Sequence, residues 1–232
     1  MNTVRSALVG AAIAASCSVA KADTIRASLF SPLAPSGVAR TVVELSSIST
    51  PSQASVKRTG YSIDFSGVGR DEGIVQGTLV RRHAVPVAAA EGMIPEYLTG
   101  DFASDLTTNI VASGNYFSTG LGTITIRFST PQRSLAILWG SIDRGNSLTF
   151  NDAANFVVTG SEVQTAAAGF VSNGFQGPGG SAYVVVDTST PFTTVTATST
   201  QISFEFTGVA AAIARFRVIP QQRYLLRPSP NN

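Results

Sequence analysis

The densest set of chemistry-bearing residues is Asp143, Asn146, Asn151, Asp152 and Asn155, five oxygen-bearing side chains within 13 residues around two turns. Calcium takes six to eight oxygen ligands, and β-sandwich loops commonly supply them. Asp143, Asn146, Asn151 and Asp152 are therefore the candidate calcium ligands, and calcium is the one cofactor the sequence suggests. The same residue types also favour turns, because Asp and Asn cap backbone groups and tolerate left-handed geometry. Both readings stand at this point. Paired carboxylates could hydrolyse glycosides, with Asp101, Asp105, Asp143 and Glu162 as candidates. Sequence spacing alone does not bring any two of them to a common cleft.

Other chemistry is poorly provided for. His83 is the only histidine. It has no Gly-x-Ser-x-Gly elbow to serve, and too few His or Cys residues accompany it for a zinc site. Gly67-Val-Gly69 lacks the spacing of a phosphate-cradling loop. Trp139, Tyr116 and Asp143 are the candidate ligand-binding residues. An indole or phenol face suits the apolar face of a sugar ring. However, Trp139 ends the apolar run Leu135-Ala-Ile-Leu-Trp139, a context that favours the core, with the N–H bonded nearby. Asp143 then fixes the turn that follows. Tyr61, Tyr97 and Tyr183 carry no sharper mark.

The elements that position these residues are strands. Tyr61–Phe65, Thr123–Phe128 and Gln201–Phe206 alternate apolar and polar residues, with Ile124, Ile126 and Phe128 on one face of the second and Ile202, Phe204 and Phe206 on one face of the third. This is the pattern of half-buried antiparallel strands. Leu135–Trp139 and Tyr183–Val186 are apolar on both faces and read as central strands covered on each side. Thr41–Leu45, Ile74–Arg81, Ser147–Phe150, Phe156–Thr159, Phe192–Thr198 and Ile213–Val218 are further candidates. Glycine-rich turns punctuate them. A short helix is expected near 95–102 or 104–111, and Ser161-Glu-Val163 could open another turn. The fold expected is an all-β, two-sheet antiparallel β-sandwich, jelly-roll-like, over residues 23–219, with 23–60 an irregular edge segment that opens on a strand. Residues 220–232 read as a disordered tail.

Residues 1–22 have the three-part layout of a secretory signal peptide: Arg5, an apolar run from Ser6 to Ala20, then Ala20-Lys21-Ala22. The run is short of the roughly 20 residues that span a bilayer. The expected location is extracellular or at the cell surface, with no membrane span in the mature chain. A lipidated Cys17 after Ala14-Ala15-Ser16 is a looser alternative. Cys17 is the only cysteine, so the mature chain has no disulfide. Without Arg5 and Lys21 the 16 basic residues fall to 14, equal to the 14 acidic ones. No basic face is expected to attract nucleic acid.

Tyr116-Phe-Ser-Thr-Gly120, Trp139-Gly-Ser-Ile-Asp143, Asn146-Ser-Leu-Thr-Phe150 and Thr159-Gly-Ser-Glu-Val163 occur in succession. This resembles the bacterial exosortase-dependent surface proteins of the PEP-CTERM class, over roughly Tyr61 to Ala210. The resemblance implies a secreted β-sandwich-like domain without established enzymatic activity, associated with the cell envelope or exopolysaccharide. The family's sorting signal is Pro-Glu-Pro, a membrane helix and a basic cluster. Val218-Ile-Pro-Gln221 stands in its place and no apolar run follows, so release or retention by a partner is expected rather than anchoring. The first expectation is thus a non-enzymatic protein that binds extracellular polysaccharide or envelope components. The alternatives are a glycoside-acting enzyme on the same scaffold and a purely structural coat or matrix module.

Overall fold

A computed structural model describes residues 23–28, 40–86, 114–151, 155–167 and 180–214. The expected signal segment, the helix near 95–102 or 104–111, the tail, and the candidates Asp101, Asp105 and Asp152 lie outside the described residues. The described chain forms strands β1 (Thr24–Ser28), β2 (Arg40–Val42), β3 (Val56–Arg58), β4 (Tyr61–Ser66), β5 (Gly73–Gln76), β6 (Asn115–Ser118), β7 (Thr123–Gly140), β8 (Asn146–Phe150), β9 (Val157–Thr159), β10 (Ala182–Ser199) and β11 (Glu205–Ala212). Helix α1 (Gly160–Ala166) lies between β9 and β10. Every pairing between these strands is antiparallel. Among the described residues no helix is long and apolar enough to cross a membrane.

The architecture follows from two 18-residue strands, β7 and β10, which pair with each other and serve two leaves. Residues Thr123–Phe128 of β7 pair with β4, and Thr194–Thr198 of β10 lie beside them. With β3, β8 and β9 at the sides, these form the first leaf, ordered β3-β4-β7-β10-β8-β9. Residues Ser134–Gly140 of β7 and Ala182–Asp187 of β10 continue into the second leaf. There β1 flanks β10, and β11 flanks β7, with β2 and the β6-β5 pair beyond β11.

The crease between the leaves is written into both long strands. A strand alternates faces with period two, so an irregularity is needed to change which parity points inward. In β7 the core residues are Ile124, Ile126 and Phe128 before the crease, then Leu135, Ile137 and Trp139 after it. In β10 they are Val184 and Val186, then Val195 and Ala197. The register between the two strands shifts between Asp187 and Thr194. Pro131 and Pro191 sit at the two bends, both exposed, where a residue without an N–H costs the ladder least. Phe192 fills the fold of the crease, edge-on to Phe128 at 6.1 Å and to Phe150 at 4.9 Å.

One hydrophobic cluster takes residues from both leaves, and α1 packs against β9 of the first leaf and β1 of the second. A second, smaller cluster, Ala136, Val185, Ala210 and Ala212, lies on the other face of the second leaf. Leu135–Trp139 and Val184–Val186 are accordingly buried on both sides, as their unbroken apolar runs require. The expected all-β antiparallel class is found, with the two leaves continuous through β7 and β10.

Several expected boundaries move. Ile202 was expected on the buried face with Phe204 and Phe206, yet it is 48% exposed. Strand β11 begins only at Glu205 and runs on through the alanines to Ala212. The candidate strand Ile74–Arg81 ends at Gln76, because Gly77 adopts a left-handed φ of 70°. The described residues of the expected strand Ile213–Val218, Ile213 and Ala214, form a bend after β11. The expected turn at Ser161–Val163 is the start of α1. Its Thr159 side chain accepts the Glu162 N–H at 3.3 Å, while the Glu162 carboxylate accepts the Thr159 N–H at 2.8 Å. This reciprocal cap satisfies two of the helix's free donors.

Candidate functional site

The candidate calcium residues serve backbone turns. Asp143 is buried, and its Oδ1 accepts the Gly145 N–H at 2.6 Å. Burial pushes its carboxyl up, opposed by the bonds from Gly145 and Asn146. Asn146 is fully buried. Its Nδ2 donates to the Ser141 carbonyl at 3.0 Å and its Oδ1 accepts from Ser199 Oγ at 2.8 Å. Asn151 lies at the end of β8, where its Oδ1 accepts the N–H groups of Thr193 and Thr194 at 3.0 and 2.7 Å. Asn155 is exposed with a left-handed φ of 48°. The described members of the expected set thus lie around two turns, where Asp143, Asn146 and Asn151 bond Gly145, Ser141, Ser199, Thr193 and Thr194, roles that Asp and Asn also take at turns. Among the described residues no group of three or more His, Cys, Asp or Glu side chains is placed to hold a metal ion. Gly160 explains part of the packing: a Cβ there would stand 1.8 Å from the Asp143 carbonyl oxygen, so only glycine lets α1 start against this turn.

The candidate ligand-binding aromatics do not reach solvent. Trp139 is 0% exposed and stacks on Phe204 with centroids 4.4 Å apart. Its indole N–H has no hydrogen-bond partner. It is a core residue and presents no face to a sugar ring. Tyr116 is 1% exposed. Its hydroxyl donates to the Gly77 carbonyl and lies 2.6 Å from His83 Nδ1. A phenol has one proton to give, so the His83 Nδ1–H is the donor in that second contact. Burial pushes His83 down and Tyr116 well up.

Beside Tyr116 the structure assembles a buried polar cluster from five separate segments. Glu72 precedes β5, Ala84 follows it, Ser118 ends β6, Ser141 follows β7, and Ser203 and Glu205 open β11. Ser118 Oγ donates to Glu72 Oε2 and lies 3.0 Å from Ser203 Oγ. Ser203 Oγ is 2.6 Å from Glu205 Oε1, which also accepts the Ala84 N–H at 3.1 Å. Ser141, held at a left-handed φ of 43°, lies near the Glu205 carboxyl and opposes the rise in its pKa. Glu72 and Glu205 are 1% and 0% exposed. One oxygen of each, Glu72 Oε1 and Glu205 Oε2, has no hydrogen-bond partner. Burial pushes both carboxyls up, Glu205 to about 7. Asp187, also buried, is treated differently: Arg26 faces it at 2.6 Å.

Two linked carboxyls of raised pKa could in principle serve as general acid and base. Here both are closed off from solvent, so no substrate reaches them in this conformation. A cavity lined by Val85, Pro86, Gly114, Asn115, Tyr116 and Thr207, and by neither glutamate, has a volume of about 10 Å³, room for about one water.

The outer face of the first leaf is open by contrast. Cross-strand register aligns Ser66, Thr123, Thr198, Ser147 and Thr159 in one row. Asp64, Thr125, Thr196, Thr149 and Val157 form the next, and Lys57, Ser62, Arg127 and Thr194 a third. Neighbouring side chains repeat about 4.8 Å across strands and about 6.7 Å along them. Ser147 and Thr198 bond each other at 2.9 Å. The Asp64 and Arg127 charges cancel as an ion pair, leaving an array of hydroxyls and methyls with the charge of Lys57 at its edge.

Neither the glutamate cluster nor the hydroxyl face is marked by a sequence motif. Glu205 did carry a signal, an acid opening a strand that continues into Thr207-Gly-Val-Ala-Ala-Ala212, apolar on both faces. Asp71-Glu-Gly73 looks like any exposed turn and carries none. Compared with known proteins, the chain matches no family model and no curated protein.

Proposed function

We propose that this is a secreted or cell-surface-associated, non-enzymatic β-sandwich protein that holds neutral extracellular polysaccharide, or an envelope component of that chemistry, on the outer face of its first leaf. The observation that carries the reading is the three-row Ser/Thr face, regular, polar and almost without net charge. Hydroxyl rows exchange hydrogen bonds with sugar hydroxyls without the desolvation cost that a charged surface would add. The threonine methyls supply apolar contact between them. The resemblance to envelope-associated surface proteins points to the same class of partner. Against an enzyme stands the closure of the two glutamates best suited to acid–base work.

The test is a glycan array probed with the chain from Asp23 onward, with calcium and again with chelator, beside a Thr196→Glu variant. Binding to neutral glycans that Thr196→Glu abolishes supports the proposal. If chelator also removes it, an ion takes part. Absence of binding to neutral glycans contradicts the proposal and favours a structural coat or matrix module.

A further inference from the structure

The four oxygens Glu72 Oε2, Ser118 Oγ, Ser203 Oγ and Glu205 Oε1 form a chain of three hydrogen-bond contacts. Each hydrogen bond needs one hydrogen between its oxygens. A serine hydroxyl has one to give, and an ionised carboxylate has none. The two serines therefore supply two hydrogens for three contacts. If both donate outward to carboxylates, the central 3.0 Å contact sets two lone pairs against each other. The chain closes only if one carboxyl is protonated and donates to its serine, which frees that serine to donate onward. We infer that Glu72 and Glu205 share a single proton along the Ser118–Ser203 relay, and that its loss loosens the five segments the cluster ties together.

The surroundings agree. Glu72 feels Asp71 and Arg82, and Glu205 faces Ser141 and the Ala84 N–H, with no cation among its influences. Tyr116, bonded to His83, feels both glutamates. A left-handed Gly120 lets the β6–β7 turn close over Glu72, where a Cβ would stand 3.0 Å from its Cγ. Two bare carboxylates at such depth would be strongly unfavourable. The pair titrates as a unit, so its proton belongs to neither residue alone.

The sign follows from where the proton sits. The folded pair holds a proton at a pH where the unfolded carboxyls, near their ordinary 4.5, have released theirs. The stabilisation is complete below about 4.5 and is lost as pH rises toward about 7. The substitutions act unequally. In Glu72→Gln the amide donates permanently to Ser118, so the chain closes with Glu205 ionised and needs no proton. In Glu205→Gln the amide oxygen must still accept the Ala84 N–H and Ser203, so the third hydrogen must still come from Glu72.

The experiment is urea unfolding of the unaltered chain, Glu72→Gln and Glu205→Gln between pH 4.5 and 7. Relative to Glu72→Gln, the unfolding constant of the unaltered chain should grow about tenfold per pH unit, and Glu205→Gln should keep that slope. Asp143, pushed up, and His83, pushed down, are common to all three and cancel in the comparison. Parallel profiles for the unaltered chain and Glu72→Gln would overturn the inference. So would an unfolding midpoint that shifts with chelator, which would assign the two orphan oxygens to a bound cation. If Glu72→Gln does not fold, carbon NMR of the glutamate carboxyls in the unaltered chain decides. Two coupled signals with a step near 7 support the shared proton, and two ordinary titrations refute it.

Discussion

The two leaves use the same kinds of side chain in opposite settings. On the first leaf, Thr123, Thr125, Thr194, Thr196, Ser147 and Thr149 stand on a face left open to solvent while the other face packs the core. On the second leaf, Ser118, Ser203 and Thr207 are buried, because both faces of that leaf are covered. A hydroxyl on the first leaf stands where water or a ligand can reach it, even where, as between Ser147 and Thr198, it also bonds a neighbour. A hydroxyl on the second is committed to a partner inside the protein, and its removal leaves a carboxyl or carbonyl unpaired. Residue type alone therefore does not mark a binding surface; the covering of the opposite face decides.

Substitutions can break this comparison, beginning with the core that the leaves share. Trp139→Ala should cost about 3–5 kcal/mol in urea unfolding, as expected for a fully buried indole stacked on Phe204. A loss under 1 kcal/mol would mean that Trp139 is not core. Ser203→Ala should cost about 1–3 kcal/mol, since it removes two buried hydrogen-bond contacts at once, to Ser118 Oγ and to Glu205 Oε1. Thr159→Ala removes the cap of α1, which bridges the leaves, and should cost about 1 kcal/mol, seen as a lowered midpoint with unchanged slope. Thr196→Ala, the first-leaf counterpart of Ser203→Ala, should change stability by no more than about 0.5 kcal/mol while weakening glycan binding. Equal costs for Ser203→Ala and Thr196→Ala would erase the distinction between the leaves.

Much of the fold was legible. Alternation at Tyr61–Phe65 and Thr123–Phe128, and the doubly apolar runs at Leu135–Trp139 and Tyr183–Val186, are found as strands of the expected kind. Their continuity was not legible. Thr123–Phe128 and Leu135–Trp139 look like two strands because Ser129-Thr-Pro131 interrupts them, and Thr190-Pro191 does the same between Val186 and Phe192. Both interruptions are creases within single strands. The capping box at Thr159–Glu162 was present in sequence, but α1 has only seven residues, too few to show helical periodicity. The site was mostly illegible for a different reason. Glu72, Ser118, Ser203 and Glu205 are brought together only by the β5-β6-β11 pairing. Asp143, Asn146 and Asn151 are close in sequence, but their hydrogen bonds run both to their own turns and across to β10.

The most direct test of the open-face account is an NMR titration of the folded chain with a soluble neutral glucan. The account predicts shift changes confined to Ser62–Ser66, Thr123–Arg127, Ser147–Thr149 and Thr194–Thr198, with the resonances of Glu72, Ser118, Ser203 and Glu205 unmoved. Changes centred on the glutamate cluster, or none on the Ser/Thr rows, would contradict it.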